Sequence, residues 1–539
     1  MKRIVIALSF VAGAAGAEPL SPEAERVAPL LEGTAAHRHL VTTSDPLAQR
    51  FFDQGLVLVY GLDRREAVRS FQQAQHLDPA CAMCYWGEAL ARGPDLHAAP
   101  EREDGPRAAH AIQRALALRD RVTEREQAYI EAMARRYLQE PSTATDPDLA
   151  YAEAMGDVAR RFPDDPDAAT LHVLALMVAT PPQHREAGGH RAIVDALERV
   201  LERHPSHPGA NHLLIRAVER GEPERGVAAA DRLRALAPAV AGLRHAPARI
   251  YLRVGRYRDA VLADEAAIEA DEAYLAQCDA QGLYPVSAAP PSRRFLLAAA
   301  SFGGLSENAI DVARRIAARQ DARLLRTPGF ESLQHHVAMP LYVLVRFGRW
   351  QEILAQPAPP GDLPYVEGVW RYARGVALAR TRETARAGEE LLALARLAED
   401  PRLERARIWG EHSMAQPLRV VRAVLAGELA QARGDHAVAI RLLREAVRRE
   451  DRLVHREPSD WYTPARHHLG LALLKANRAR EAERVYRADL ERHPDNGWAL
   501  YGLAQSVRAQ NRRREASEIE ARFREAWAEA DVQLTASRY

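Results

Sequence analysis

One recurring pattern of residues constrains the fold of this chain more than any other feature. In its first clear copy, Gly55 is followed by Ala67 after twelve residues, by Phe71 after four more, and by Ala74 and Pro79 after a further three and five. Small residues let two helices approach closely, and a large apolar side chain fills the gap between successive helix pairs. A proline ends the second helix because it has no N–H and clashes with the preceding turn. The spacing therefore predicts a helix hairpin.

Copies of this pattern return through the chain, which indicates a repeat architecture. The spacings are those of tetratricopeptide repeats, whose helix pairs stack so that each buries its apolar face against its neighbours. We therefore predict an all-α fold, a TPR-like right-handed solenoid of stacked helix hairpins. The further copies include Gly375, Ala387, Leu391 and Leu394; Gly427, Ala439, Leu443 and Ala446; Gly470, Ala482, Tyr486 and Pro494; Trp498, Gly502, Ala516 and Phe523; and Ala248, Tyr251 and Ala260.

Proline-rich and polar segments interrupt the repeats and suggest the domain limits. Loops on a rigid scaffold often carry function, so these segments matter beyond the boundaries they set. The predicted parts are an N-terminal extension (18–45), an N-terminal array (46–355) with insertions at 92–108, 139–148 and 284–293, a seam at 356–361, and a C-terminal array (364–539) with a capping helix from Ala516 to Ala530.

The first residues have the layout of a secretory signal peptide. A basic start, Met1-Lys2-Arg3, is followed by an apolar run from Ile4 to Ala14 and by small residues up to Ala17. The run is shorter than the ~20 apolar residues that cross a bilayer, so we expect cleavage near Ala17 and no membrane span. The predicted location is the periplasm or the secreted fraction.

The charge balance excludes one class of partner. Lys and Arg number 74 against 73 Asp and Glu, a formal net charge of +1. A nucleic-acid or membrane-surface binder would show a basic stripe, so we expect neither.

Several blocks resemble one family of exported bacterial tetratricopeptide-repeat proteins, related to the eukaryotic tetratricopeptide protein 38 type. The likeness covers nearly the whole mature chain. It implies the solenoid fold. It implies nothing about biochemical activity, because the family has none assigned. It also implies middle-repeat histidines where this chain has Arg216, Gly242, Arg249 and Arg294. The matching blocks are Phe51–Leu56, Cys81–Leu90 followed by Gly93-Pro94, His207–His212, Ile250–Tyr257 and Asn496–Leu500.

Two cysteines, Cys81 and Cys84, lie three residues apart at a predicted helix start. In an oxidising compartment they are candidates for a disulfide, and two buried thiols are the alternative. Covalent haem attachment would require a histidine directly after the second cysteine. This chain has Tyr85 there, so haem attachment is excluded. Zinc would need two further ligands, and Cys278 is the only other cysteine.

Four middle-repeat residues form the predicted ligand site. His212 and Arg216 are four apart, as are His245 and Arg249, so each pair shares one helical face. If both faces point inward, with Arg294 joining them, they would bind a carboxylate or phosphate.

Two alternatives remain open for these residues. The arginines can instead pack between hairpins or pair with neighbours such as Glu219 or Asp259. Histidines can instead hold a metal, because imidazoles on adjacent hairpins can converge. That metal set is His204, His207, His212 and His245.

The sequence favours a binding scaffold over an enzyme. It contains no Gly-rich phosphate loop and no G-x-S-x-G elbow. We expect a protein or peptide partner in the concave groove and no cofactor. The alternative is a metal-binding or anionic-ligand-binding protein, with enzymatic activity left open, whose site lies around His212 and His245.

Overall fold

The computed structural model describes residues 28–34, 37–96, 101–138, 146–180, 187–278, 291–453, 458 and 463–539. The predicted signal peptide lies outside the described residues.

The first half of the described chain is built mainly from helices. An Asp or Thr side chain that accepts backbone N–H groups, such as Asp45 for α1 or Thr123 for α5, starts several of them. These helices are α1 (Pro46–Tyr60), α2 (Arg64–Leu77), α3 (Ala82–Arg92), α4 (Asp104–Ala117), α5 (Glu124–Tyr137), α6 (Pro147–Arg161), α7 (Pro166–Ala179), α8 (Ala187–Arg203), α9 (Pro208–Val218), α10 (Val227–Leu236), α11 (Ala241–Arg253) and α12 (Tyr257–Cys278).

The second half continues in the same way. A two-stranded antiparallel ribbon, β1 (Arg407–Ile408) with β2 (His412–Ser413), interrupts it. The helices are α13 (Pro291–Gly303), α14 (Ser306–Ala318), α15 (Leu333–Arg346), α16 (Trp350–Ala355), α17 (Pro364–Arg380), α18 (Thr384–Leu397), α19 (Pro401–Arg405), α20 (Ala415–Ala432), α21 (His436–Glu450), α22 (Ala465–Lys475), α23 (Ala479–Leu490), α24 (Gly497–Arg508) and α25 (Arg513–Ala526).

Helices packed in order along the chain form a solenoid. Helices α1, α3 and α5 contact one another in turn, as do α7, α9 and α11, and later α15, α17, α20, α22 and α24. We call these the inner helices. The partner helix of each hairpin packs on their outer side. The predicted all-α, TPR-like solenoid is therefore confirmed.

An aromatic ring wedged between two glycines explains the repeat spacing. A Cβ on Gly55 or on Gly87 would lie 2.8 or 2.3 Å from the ring of Phe71. In the C-terminal half, a Cβ on Gly470 or Gly502 would lie 2.3 or 2.2 Å from the ring of Tyr486. Each ring comes from an outer helix and fills the gap between two consecutive inner helices. Only glycine at these inner-helix positions leaves room for the ring, because any Cβ would overlap it.

The described helices can be placed beside the predicted boundaries. Residues 356–361 connect α16 to α17, and α17 contacts both α15 and α16, so the stack continues across the predicted seam. Helices α4, α6 and α13 begin within the ranges predicted as insertions, of which residues 97–100, 139–145 and 284–290 lie outside the described residues. The final helix ends at Ala526, before the predicted Ala530.

Distant repeats also meet, because the stack curves back on itself. Helix α1 contacts α9, and a Cβ on Gly209 would lie 2.4 Å from the ring of Tyr60. Further along, the Tyr257 hydroxyl donates to the Pro494 carbonyl at 2.8 Å, and the Trp498 indole donates to the Ser301 carbonyl at 3.0 Å.

The residues that follow α25 run back over the earlier helices. Asp531 accepts the backbone N–H groups of Ser306 and Glu307, at 2.8 and 2.9 Å. Arg538 pairs at 2.6 Å with Glu428, which is buried on α20. Of the helices that the structure describes, none has the length and apolarity needed to cross a membrane.

The ring-between-glycines packing gives a stability prediction. Gly502→Ala places a methyl group against Tyr486, so we expect it to lower the free energy of unfolding by about 1–3 kcal/mol. The control, Gly388→Ala on α18, meets only an Arg433 side-chain nitrogen at 3.5 Å, an ordinary contact. It should stabilise by about 0.5–1 kcal/mol because alanine is the better helix former. Urea unfolding of both variants measures the difference, and equal effects would contradict the packing.

Candidate functional site

A cavity of about 230 Å³ lies where the turn after α1 meets α9, α11 and α12. Four of the five predicted ligand residues line it. Its polar and charged lining consists of Asp63, His212, Arg216, His245, Arg249, Asp271, Tyr274 and Ser292, and its apolar lining includes Leu31, Leu58, Leu62, Ala239 and Ala270.

Glu219 joins the two arginines of the cavity wall. Arg216 donates through one nitrogen to both carboxylate oxygens of Glu219, at 3.1 Å each. Arg249 donates to the same carboxylate through Nε and through a terminal nitrogen, the latter at 3.1 Å. Pairing with Glu219, the alternative left open by the sequence, therefore occurs at the same time as convergence on one cavity. Asp259 pairs instead with Arg234 and Arg256.

The electrostatics of this group leave one positive charge in excess. Burial lowers the pKa of Arg216 to about 10, and the neighbouring Arg249 adds to this effect. Burial alone would raise the pKa of Glu219, but its hydrogen bonds to Arg249 hold it below its usual range. At neutral pH two guanidinium groups therefore face one carboxylate.

The two cavity histidines are held by different partners. His212 donates from Nδ1 to the Tyr60 carbonyl oxygen at 2.7 Å, so neutral His212 carries its proton on Nδ1. His245 Nδ1 lies 2.7 Å from Asp264 Oδ1, and burial raises the pKa of Asp264 well above its usual value. The His245 ring packs edge-on against Phe295 with centroids 4.8 Å apart.

An acidic group lies elsewhere in the cavity wall. Asp63 ends the turn after α1 and Asp271 belongs to α12. Burial raises the pKa of Asp63 to about 6, and the charges of Glu66 and Asp271 add to this effect. Arg293 lies 3.9 Å from Asp271. The cavity thus carries both signs of charge.

Two positions singled out by the resemblance have other roles. Arg294 does not line the cavity, and its guanidinium lies 5.8 Å from the centroid of the Trp409 ring. Gly242 lines the cavity, and a Cβ there would lie 2.1 Å from the Gly61 carbonyl oxygen. A histidine at this position does not fit the backbone of this chain.

The four histidines of the metal alternative do not form one group in the described part of the chain. His212 and His245 have the partners given above, and His204 joins no cluster of potential ligands there. His207 instead meets His37 and Asp167, from parts of the chain far apart in sequence. Both Nε2 atoms lie near Asp167 Oδ1, at 2.9 Å for His37 and 3.2 Å for His207.

The hydrogen bonds of His207 favour a network over a metal centre. Its Nδ1 accepts the Ala210 N–H at 3.1 Å, which caps α9. A neutral His207 therefore carries its proton on Nε2, the atom that a metal would need. Asp167 also accepts from Tyr60 at 2.5 Å and lies 2.8 Å from His39 Nδ1. Sequence spacing could not find this cluster, because its members lie in four separate segments.

The cysteine pair opens α3. Cys81 and Cys84 are joined by a disulfide, with an S–S distance of 2.02 Å and Cα atoms 5.4 Å apart. Cys81 is the N-cap residue, and its sulfur accepts the Cys84 N–H at 3.2 Å.

Comparison with known proteins gives likeness in fold only. No protein-family model matches the chain, and no curated protein matches it. A structure of Naa15/Naa10 bound to HypK-THB is 13% identical, with 89% of this chain and 71% of that chain covered and a TM-score of 0.23. The P58(IPK) TPR domain is 12% identical, with 86% and 98% covered and a TM-score of 0.22.

A human IFIT1 dimer with m7Gppp-AAAA is also 12% identical, with 88% and 95% covered and a TM-score of 0.29. Nothing about the partners or ligands of these three proteins transfers to this protein.

The shared carboxylate gives a second prediction. Glu219→Gln leaves two guanidinium groups, each on a side chain only 12% exposed, without their shared carboxylate, which should cost about 3–5 kcal/mol of stability. Arg216→Gln keeps the two-point pairing of Arg249 with Glu219 and should cost less. Urea unfolding with and without phosphate tests both. Phosphate should restore more stability to the Glu219→Gln variant than to the wild type, and equal losses in the two variants would show that the three groups are not coupled.

Proposed function

We propose that this protein is an interaction scaffold whose interior cavity binds the anionic group of a small ligand or of a partner's chain end. The observation that carries the proposal is the convergence of Arg216 and Arg249, from two hairpins, on a single carboxylate in the cavity wall.

The excess charge supports an anionic group over a metal ion. Guanidinium groups repel a cation, and a bound carboxylate or phosphate gains charge-assisted hydrogen bonds from them. The cavity is smaller than the roughly 300–1,000 Å³ typical of pockets for drug-sized ligands, which favours an occupant of amino-acid size.

The acidic side of the cavity narrows the ligand class further. Asp63 would attract an ammonium group while the arginines hold the anionic end, and Asp271, which also lies 3.9 Å from Arg293, adds to the negative potential on this side. A ligand with one positive and one negative group pairs with both the acidic and the basic side of the cavity. A dianion would instead place a second negative charge against the aspartates. We therefore propose an amphoteric ligand such as an amino acid or the end of a peptide. We assign no catalytic step to the site.

A titration with matched compounds tests this proposal. We expect 5-aminopentanoate to bind more tightly than glutarate, a dicarboxylate of similar length, as measured by calorimetry. A tripeptide with a free C-terminus, compared with its amide, tests the chain-end source. Arg216→Gln should weaken binding at least tenfold, and wild-type binding should weaken as salt rises.

The control for this titration is Arg371→Gln. Arg371 lies on α17 and pairs with Glu367 and Glu390, so it is also an arginine shared between side chains but does not line the cavity. Binding should be unchanged in this variant. The double variant Arg216→Ala with Arg249→Ala is a poorer test, because it leaves Glu219 buried without a counter-charge. Equal binding of all compounds by wild type and Arg216→Gln would refute the proposal.

We also propose that the protein acts outside the cytoplasm. The signal-peptide pattern of residues 1–17 supports export, and the Cys81–Cys84 disulfide is of a kind that persists in oxidising compartments.

Thiol titration of the natively produced, unreduced and denatured protein tests this second proposal. The chain has three cysteines, so a disulfide leaves one reactive thiol, that of Cys278. N-terminal sequencing should begin at Glu18. A count of three thiols, or a full-length chain in the cytoplasm, would contradict export.

A further inference from the structure

Residues 28–34 and 37–45, here called the N-terminal strap, lie along the inner helices of the first half of the array. They form no helix or strand. Their polar backbone groups must nevertheless be satisfied where they are buried. Side chains of α1, α5 and the end of α2 provide the partners.

Two glutamines of α1 hold the strap backbone in the same way. The Gln54 amide accepts from the Leu31 N–H at 2.7 Å and donates to the Pro29 carbonyl at 2.9 Å. The Gln49 amide accepts from the Val41 N–H at 3.0 Å and donates to the His39 carbonyl at 2.9 Å. Each amide thus bonds an acceptor and a donor two residues apart.

Both glutamines are built into the surface and not free to swing away. Gln54 is fully buried, and its nitrogen also donates to the Ser70 hydroxyl at 3.0 Å. Gln49 is buried as well and donates to Asp53, which accepts the His39 N–H at 3.0 Å. The hydrogen bonds of Gln49 and Gln54 are made to backbone N–H and carbonyl groups of the strap, so they do not depend on which side chains the strap carries.

The strap residues just before α1 are held by further side chains, most of them acidic. Glu126 accepts both the N–H and the hydroxyl of Thr42, each at 2.6 Å. Asp78 accepts the Thr43 hydroxyl at 2.5 Å and the Ser44 N–H at 3.1 Å. Arg125 donates to the Leu40 carbonyl at 2.6 Å.

Asp167 contacts two side chains of the strap, His37 and His39, as described above.

We propose that this inner surface is a binding site for an extended polypeptide and that the strap occupies it in cis. The contacts point to an extended partner segment with a basic or imidazole side chain toward Asp167 and a hydroxyl residue toward Glu126. Such a segment competes with the strap for Gln49 and Gln54. The peptide groove expected from the sequence is therefore already filled by the chain itself, and the strap is autoinhibitory.

The strap also borders the cavity, which joins the two regions physically. Leu31 lines the cavity, and a Cβ on Gly33 would lie 2.6 Å from Pro238. Release of the strap would thus remove part of the cavity wall. The surface side chains that carry the peptide site, Gln49, Gln54 and Glu126, do not line the cavity, so the site stands independently of the ligand proposed there.

The test uses the full chain with changes confined to the strap. Leu31→Pro with Val41→Pro removes the two N–H groups that Gln54 and Gln49 accept, and it leaves the surface intact. The probe is a fluorescent synthetic peptide of residues 28–45, followed by anisotropy. The variant should bind it one to one and at least tenfold more tightly than the wild type. The same peptide carrying both prolines should not bind.

Substitutions on the surface supply the control. Adding Gln49→Ala to the strap variant should weaken peptide binding at least tenfold. Adding Gln75→Ala should leave binding unchanged, because Gln75 lies on the outer helix α2 and bonds to Glu88. Failure of the strap variant to bind the peptide would overturn the proposal.

Hydrogen exchange on the wild-type chain gives an answer even where the strap variant does not fold. Under native conditions the amides of Leu31, Val41 and Thr42 should exchange together, through an opening that leaves the α1 amides protected. The opposite outcome is that these amides exchange only when α1 also opens. The strap would then be a permanent part of the core, and the proposal would be overturned.

Discussion

The close approach of inner helices around a single ring is the constraint on which the rest of this structure depends. Phe71 and Tyr486 each fill the space between two glycines of consecutive inner helices, and a methyl group at either glycine would overlap the ring. This packing sets the distance between the inner helices at both places, and leucine side chains lie against Gly375 and Gly427. Together these spacings contribute to the curvature of the stack. The curvature brings α1 against α9, and it places the later repeats against Tyr257 and Ser301.

Closure of the stack creates the interior in which charged groups have to be balanced. Two guanidinium groups and Glu219 leave one positive charge in the cavity wall, and a buried charge persists only when partners compensate for its lost hydration. Asp63 and Asp271 place the opposite charge nearby. The cavity is polarised because its walls come from repeats far apart in sequence, and this polarity is the reason for the amphoteric ligand that we propose.

The same closure brings other segments of the chain onto the inner helices. In an open solenoid the inner helices would offer a long groove to partners. In this protein the N-terminal strap lies on the first inner helices, and the residues after α25 run back over the later repeats. Side chains such as Gln49 and Gln54 bond to main-chain atoms of the strap, and this is the observation from which we propose a peptide site there.

The sequence by itself determined the fold class, because glycine, alanine and aromatic residues at fixed spacing express local packing between adjacent helices. It also placed His212, Arg216, His245 and Arg249 on two helical faces, since residues four apart share a face. Only the tertiary structure decided that both faces line one cavity, that Arg294 lies elsewhere and that Glu219 bonds both arginines. It alone brought His37 and Asp167 to His207, and the strap to Gln49. These contacts depend on the accumulated rotation of many repeats, and no local spacing in the sequence records that rotation.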